Sequence, residues 1–426
     1  MSQITLASAS NALKKRFSPT NLQQAGYKRH KMLGWLQKDT DWAGEALLHT
    51  VYHSGGRGKG TTIAKAQANL KPVAMARFTL ERRRLYSVGT IEREFLKASR
   101  DQAMSLLNGR MALFKAKQYE LMRDISGSLY GDGSGSRGTI AVAGIATDTP
   151  AAEQTTITLS HPAQAVHFEK GMRLAAAATP TGALRDSGAL YEIMALNRIA
   201  GTLVVEAVAA PASPPVAWAD GDHLFESGDA ANGASDTLKI DGFNAWCPDA
   251  DPVLGSDDFK GVDRGVDVSR LSGIRLDASA SGSDDLEAIQ DMGTLMQQEG
   301  AAPEVCFVNP RIAARVAKQL QGQVTYNDVK STDARIFYRG FVVQTGAGDV
   351  TVLSDQDCPA NKGWMLRKSA QRLVSLGEAP HLVDDDGLVL LRGASSDDFE
   401  VRFAMYGDLV VDEPQEVGNI TFASVS

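Results

Sequence analysis

The chain has 426 residues, of which 43% are hydrophobic and 22% charged, and its formal net charge at pH 7 is −7. This composition is ordinary for a globular protein and excludes wholesale disorder, and the length allows two or three units with their own cores. No apolar run approaches the roughly 20 residues of a membrane-spanning helix. The first residues also lack the hydrophobic core of a signal peptide, so we expect a cytosolic protein without a membrane partner.

The distribution of charge along the chain is uneven. Residues 1–90 contain 15 Lys and Arg against 4 Asp and Glu, a net charge of +11, which leaves −18 for residues 91–426. A basic segment joined to an acidic body can bind nucleic acid, or it can lie across the acidic body of another copy of the same chain. The charge pattern alone favours neither strongly.

The first segment, residues 1–54, combines basic clusters with isolated apolar residues such as Trp35 and Trp42. These apolar residues are too few to form a core of their own. A segment of this kind must pack on something else, either the rest of the chain or a neighbouring molecule. We therefore predict an N-terminal arm.

Residues 55–89 open with glycines and lysines and close with the strand-like sequence FTLERRRLYSV. The outer part is polar, basic and poor in large apolar residues, which predicts an extended hairpin that projects from the body. In its return strand, alternation places Arg82 and Arg84 on one face and Arg83 on the other.

A long helix is predicted next, from Thr90 to Leu129, with Thr90 as its cap and an apolar stripe along one side. Such a helix would span on the order of 60 Å. Asn108 and Gly109 could divide it into two shorter helices, because this pair favours turns. The glycine-rich segment GDGSGSRG then indicates a turn from helix to strand, the reverse of the order that a dinucleotide-binding loop requires.

The remaining sequence predicts two further regions. From residue 150 to about 235, five short strand candidates separated by turn residues indicate a small β-barrel or sandwich. From residue 236 onward, two helices are signalled, one of them running from Ser283 to Gly300 and the other starting at Asn309, followed by several strands. The three cysteines, Cys247, Cys306 and Cys358, lie far apart and indicate core thiols rather than disulfides or a zinc site. The fold class is therefore α+β.

Three stretches carry a resemblance to a known family: SLYGDGSGSRG after the long helix, CFVNPRIAARVAKQL, and DDFEVRFAMYGDLVVDEPQEVGNI near the end. In this order they resemble the major capsid proteins of tailed bacteriophages, the Hong Kong 97-type fold. The resemblance implies an N-terminal arm (1–54), an extended hairpin or E-loop (55–89), a spine helix with the first part of a P-domain (90–149), an inserted β-rich module (150–235), a continued P-domain (236–302), an apical A-domain (303–392) and a C-terminal P-domain strand (393–426). The minimal fold lacks the β-rich module.

The resemblance implies a structural protein that is not an enzyme and has no catalytic residue, cofactor or metal site. Its partners would be copies of itself in hexamers and pentamers, a scaffolding protein, a portal and a decoration protein. The shell, assembled in the host cytoplasm and located in the virion, would enclose double-stranded DNA without sequence-specific binding. The residues that we expect at subunit interfaces are Trp35, Trp42, Arg57, Lys59, Lys65, Arg82 and Arg84.

Two other functions fit parts of the sequence. An encapsulin, which shares this fold, would use the same shell to enclose a cargo protein. A nucleic-acid-binding protein would use the basic first 90 residues, although the aromatic residues there show no regular spacing of a stacking surface.

Overall fold

The structure is a computed structural model that describes residues 3–4, 30–94, 109–147, 154–208, 218–233, 237–279, 284–321, 341–383, 390–392 and 397–423. The α-helices are α1 (Lys31–Trp35), α2 (Ile63–Ala68), α3 (Gly109–Leu129), α4 (Phe243–Trp246), α5 (Val268–Ser272), α6 (Asp285–Gln298) and α7 (Pro310–Gln321). The strands are β1 (Gln3–Ile4), β2 (Gln37–Asp39), β3 (Ala46–Ser54), β4 (Ala74–Glu81), β5 (Arg83–Glu92), β6 (Ser136–Thr147), β7 (Gln154–Leu159), β8 (Arg173–Ala177), β9 (Tyr191–Asn197), β10 (Thr202–Ala207), β11 (His223–Glu226), β12 (Ile274–Asp277), β13 (Val305–Val308), β14 (Phe341–Thr345), β15 (Gly348–Ser354), β16 (Lys362–Leu366), β17 (Gln371–Ser375), β18 (His381–Leu382), β19 (Leu391–Arg392), β20 (Asp398–Val411) and β21 (Val417–Thr421).

The largest sheet contains strands from both ends of the chain. Its order is β1, β5, β20, β17, β2, and the short strands β18 and β19 also pair with β20. The long strand β20 runs antiparallel to β5 from Asp398 to Gly407 and antiparallel to β17 from Gly407 to Val411. Because β20 bridges the two halves of the sheet, the C-terminal region holds the N-terminal strands in place.

Helix α3 packs on this sheet. Leu113, Leu121 and Ile125 are buried, and Phe114 makes an edge-to-face contact with Phe403 of β20, with ring centroids 5.9 Å apart. The predicted helix start at Thr90 is wrong, because β5 continues through Thr90, which pairs with Glu400. Tertiary pairing with β20 has overridden the capping preference of threonine. The middle of the predicted helix, residues 95–108, lies outside the described residues.

Strands β3 and β4 form a separate two-stranded hairpin, with Ala46 opposite Glu81 and Tyr52 opposite Met75. The hairpin therefore begins earlier in the chain than the predicted residue 55. Its return strand ends at Glu81, so the predicted position of the three arginines on that strand is wrong: Arg82 lies between β4 and β5, and Arg83 and Arg84 open β5 in the large sheet.

Six strands close into a barrel in the order β10, β7, β6, β11, β8, β9. Five of them, β7 to β11, lie on the five predicted strand candidates, and the sixth, β6, starts at Ser136 directly after the glycine-rich turn. Gly133 and Gly135 in this turn have φ of +82°, a conformation that other residues rarely adopt. A core of its own fills the barrel, including Ile157, Phe168 and Leu203.

A second open sheet, in the order β12, β21, β16, β13, β15, β14, carries helices α6 and α7. The sequence predicts both helices, but Ser283 as the cap of α6 is wrong, because the residue at its N-cap is Asp284. Cys306 lies in the core of this sheet, whereas Cys247 and Cys358 lie in the main core. All three thiols are buried and free, as expected.

Candidate assembly interface

The β3–β4 hairpin buries only one of its two faces. Alternate side chains of β4, Ala76, Phe78 and Leu80, are buried, as is Val51 of β3. Phe78 contacts Trp246 with ring centroids 5.2 Å apart. Period-two alternation then turns every other side chain outward. One face of the hairpin therefore anchors it to the subunit while the other faces solvent.

The outward face carries large apolar side chains. Leu48, Tyr52 and Met75 are 56%, 68% and 53% exposed, and Tyr52 lies directly opposite Met75 in the antiparallel register. Single exposed apolar residues are common on protein surfaces, but a cluster of them on a projecting element indicates an interaction surface.

The connection between the strands, residues 55–73, is itself folded, and we call it the tip. The hydroxyl of Thr62 accepts a hydrogen bond from the backbone N–H of Lys65 and caps helix α2. Arg57 and Lys71 pair across the tip, the N–H of Lys71 lying 2.7 Å from the carbonyl oxygen of Arg57. These bonds give the tip a defined shape.

The tip is strongly basic. Arg57, Lys59, Lys65 and Lys71 are exposed, the tip contains no acidic residue, and none of these four side chains forms an ion pair with another described residue. The structure thus brings together Arg57, Lys59 and Lys65, as expected for an extended hairpin. Lys71 was missed, although it belongs to the same acid-free run of sequence.

Arg82 and Arg84 lie where the hairpin meets the large sheet. Arg84 is exposed at the start of β5, next to the outward-facing Tyr86 and Val88, and Arg82 is half-buried between β4 and β5. Arg83 points the opposite way and donates a hydrogen bond to Asp241 over 3.2 Å. The predicted alternation therefore separates a structural arginine, Arg83, from the solvent-exposed Arg84.

A buried ionic network fixes the hairpin base. Lys260 Nζ donates to Asp241 and to Asp408, with the Asp408 oxygen 2.9 Å away, and the backbone N–H of Thr79 in β4 donates to the carbonyl oxygen of Lys260. Burial raises the pKa of Asp408 to about 6, against the opposing effect of the lysine. Burial by itself would lower the pKa of Lys260, but the negative charges of Asp408 and Asp241 have the larger combined effect and raise this pKa. The base is therefore held by paired charges that solvent does not reach.

The two expected tryptophans are covered by their own chain. Trp42 is 2% exposed, and its backbone N–H donates to Ser375 of β17. Trp35 is partly buried and makes an edge-to-face contact with Phe307, with ring centroids 5.4 Å apart. Trp42 thus has little surface left for a neighbouring subunit, because its own subunit buries it.

Two aspartates that the sequence analysis did not single out hold the described part of the arm on the body. Asp355 accepts a hydrogen bond from the backbone N–H of Met32, 2.9 Å away, and Asp357 pairs with His30 over 2.5 Å. Asp357 also accepts from Ser126 of α3. Burial by itself would raise the pKa of Asp357, but the hydrogen bond from His30 helps to lower this pKa below its usual value. These contacts join arm, helix and second sheet.

A cavity of about 300 Å³, lined by both polar and apolar groups, lies between α3, the barrel and the segment before β16. Arg137 of β6 donates to Asp124 of α3 at its rim, 2.7 Å apart, and burial lowers the pKa of the lining His167 to about 4. The described residues contain no group of three or more His, Cys, Asp or Glu side chains that could hold a metal ion. Charged and polar side chains from three parts of the fold therefore meet at this cavity.

No helix among the described residues is long and apolar enough to cross a membrane. The protein-family models and the curated proteins contain no match to this chain.

Several solved structures are similar to it. A chain of the cyanophage A-1(L) capsid asymmetric unit has a TM-score of 0.59 and 14% sequence identity, over 99% of this chain and 100% of that chain. The capsid of an empty GTA particle has a TM-score of 0.46 and 11% identity, over 99% and 98% of the two chains. The holo-SrpI encapsulin complex from Synechococcus elongatus PCC 7942 has a TM-score of 0.44 and 8% identity, over 100% and 98%. The first similarity, which spans both chains, establishes the fold.

Proposed function

We propose that this chain, which has the mixed helix-and-sheet fold of phage capsid proteins, is a major capsid protein. Copies of it would assemble as hexamers and pentamers into the icosahedral head shell of a tailed phage. The observation that carries this proposal, beside the fold, is the β3–β4 hairpin, whose outward face and basic tip are exposed and are not covered by the part of the subunit that the structure describes.

The physical argument concerns what an exposed apolar surface requires. Burying one large aliphatic or aromatic side chain stabilises a contact by roughly 1.5–3 kcal/mol. Leu48, Tyr52 and Met75 of each subunit contribute this stabilisation only when a neighbouring subunit covers them. A closed shell repeats every such contact many times, so modest contacts per subunit suffice for a stable assembly. Arg84 and the basic tip would fix the register of neighbouring subunits more than the strength of the contact.

In this proposal the described elements take the roles that the fold suggests. The β3–β4 hairpin is the E-loop, α3 belongs to the spine helix, the large sheet with β20 is the P-domain, and the second sheet with α6 and α7 belongs to the A-domain. This proposal differs from the sequence-based bounds, because β12, α6 and β21 join the A-domain and β17 joins the P-domain. The six-stranded barrel is the inserted module. Function then lies in the interfaces rather than in a catalytic site, and the proposal requires no cofactor or metal.

A role in a phage head implies further partners. A scaffolding protein would guide assembly in the host cytoplasm, a portal would occupy one vertex, and a decoration protein could bind the outer surface. The completed virion shell would enclose double-stranded DNA without sequence-specific contacts.

The test is electron microscopy with light scattering on the purified chain, expressed alone and together with the rest of its head-assembly genes. We expect closed shells tens of nanometres across, on the order of the size that such subunits enclose. Shells filled with DNA in the second expression support the phage function, whereas shells that enclose a specific protein point to an encapsulin. A monomer that forms no shell in either expression and shifts DNA in a gel contradicts the proposal.

A further inference from the structure

We propose that the tip of the hairpin docks on one particular surface of a second copy of this chain, the segment of residues 249–267, which we call the acidic loop. This inference rests on the proposed shell function and adds the receiving site.

The acidic loop is the chemical complement of the tip. It contains six aspartates and only two basic residues, Lys260 and Arg264, a net charge of −4 against +4 for the tip. Both basic side chains are turned inward, at 7% and 6% exposure. Asp249 and Asp251 pair with Lys362 and Arg275 outside the loop. Asp258, Asp263 and Asp267 form no ion pair with a described residue, so the surface that the loop presents keeps an acidic excess.

The acidic loop also presents an aliphatic patch. Val253, Leu254 and Val266 are 66%, 68% and 56% exposed. Gly265 lies so close to the backbone of Leu254 that a Cβ there would be 2.3 Å from its nitrogen. This close approach brings the backbone of residues 265–266 against that of residues 253–254, so the three exposed aliphatic residues lie in one compact part of the loop.

The loop is held rigid before any partner arrives. The carboxylate of Asp263 accepts hydrogen bonds from the backbone N–H groups of Gly255 and Gly265, at 2.8 and 2.9 Å. Arg264 pairs with Asp257 over 2.7 Å and lies above the ring of Phe259. A preorganised surface loses little conformational entropy on binding, which favours its use as a docking site.

The tip matches this surface in both respects. Beside its four exposed basic residues, it carries the exposed aliphatic residues Ile63, Leu70 and Val73, of which Ile63 is 79% exposed. Exposed aliphatic side chains combined with charges of opposite sign on the two partners are features that specific interfaces use.

We assign the acidic loop of a second copy as the partner of the tip, because the tip and the acidic loop are two different, complementary surfaces of the same chain. In the described residues, the hydrogen bonds of the tip are made within the hairpin, so its own acidic loop is not its partner. A contact between two different surfaces of identical chains runs head to tail and closes into a ring when the rotation allows it. The tip and the acidic loop would thus join successive subunits around a hexamer or pentamer.

Chemical crosslinking between engineered cysteines tests this contact. The native cysteines are buried, so Ile63→Cys in the tip and Leu254→Cys in the acidic loop introduce the reactive thiols. Shells of the double variant, treated with a short bismaleimide, should give a ladder of dimers up to hexamers on a denaturing gel. The matched control combines Ile63→Cys with Ile199→Cys, which is 87% exposed on the barrel and should give at least tenfold less crosslinked product.

Co-assembly of the two single variants gives the second measurement. Mixed shells of Ile63→Cys and Leu254→Cys subunits should yield dimers, whereas shells of either variant alone should not. Shells that form normally but crosslink no more than the control pair overturn the receiving site and leave the proposed function intact. Failure of the wild-type chain to form any shell overturns the proposed function first.

Discussion

At the scale of single residues, Lys260 links the hairpin to the rest of the subunit. Its ammonium group lies between Asp241 and Asp408, and the fully buried Asp408 depends on it for a counter-charge. Arg83 adds a second positive charge beside Asp241. Removal of one partner from such a network leaves an unpaired buried charge, which costs far more than a surface ion pair is worth.

We expect Lys260→Ala to lower the free energy of unfolding of the unassembled subunit by about 3–5 kcal/mol, because Asp408 is then buried without compensation. Urea denaturation followed by fluorescence measures this difference. Lys170→Ala is the matched control, since this lysine is exposed on the barrel, and it should change the free energy by less than about 0.5 kcal/mol. A loss below about 1 kcal/mol for Lys260→Ala would show that the network contributes little.

At the scale of elements, the end of helix α3 meets the start of helix α4 at one glycine. A Cβ on Gly242 would lie 2.3 Å from the carbonyl oxygen of Ser128 and 2.5 Å from that of Leu129. Both atoms are backbone, which cannot move aside as a flexible side chain can. Only glycine therefore permits α4, with the buried Trp246, to pack this closely on the end of α3.

Gly242→Ala should destabilise the subunit by about 1–3 kcal/mol, because the methyl group forces the two elements apart. Thermal unfolding of the unassembled subunit gives the comparison. In Gly34→Ala, the added methyl group meets nothing within 4 Å and lies inside helix α1, so this variant should be neutral or more stable. Equal melting temperatures for the two variants would contradict the close approach at Gly242.

At the scale of the whole molecule, charge is divided between a basic projection and an acidic body. Exposed charges interact over about 10 Å at 0.1 M salt and over about 3 Å at 1 M. Arg82 and Arg84 stand where the projection joins the large sheet, and neither makes an ion pair with another described residue. They are available for a neighbouring subunit and dispensable for the fold.

Charge reversal in the double variant Arg82→Glu with Arg84→Glu should reduce the yield of shells at 0.1 M salt at least tenfold. Repulsion from the acidic body of the neighbour replaces attraction, while circular dichroism of the unassembled subunit stays unchanged. Light scattering follows the assembly, and Lys170→Glu on the barrel serves as the control that should assemble normally. Wild-type yields from the double variant would show that these arginines do not face a neighbour.

The sequence by itself determined the elements whose signals are local. Turn residues and alternating apolar residues predicted the strands β7 to β11, cap and stop residues predicted α6 and α7, and the acid-free basic run predicted the projecting tip. The residues that make up each signal lie within about ten to twenty positions of one another, so each element can be predicted without knowledge of the rest of the chain.

Only the tertiary structure decided the contacts between distant segments. Thr90 became part of a strand because Glu400 pairs with it, and Trp42 is covered by its own subunit because β17 lies beside it. Lys260, Asp241 and Asp408 form one network although 167 positions separate the two aspartates. Contacts of this kind depend on how sheets and helices pack against each other. The composition, periodicity and residue spacing of one chain do not specify that packing.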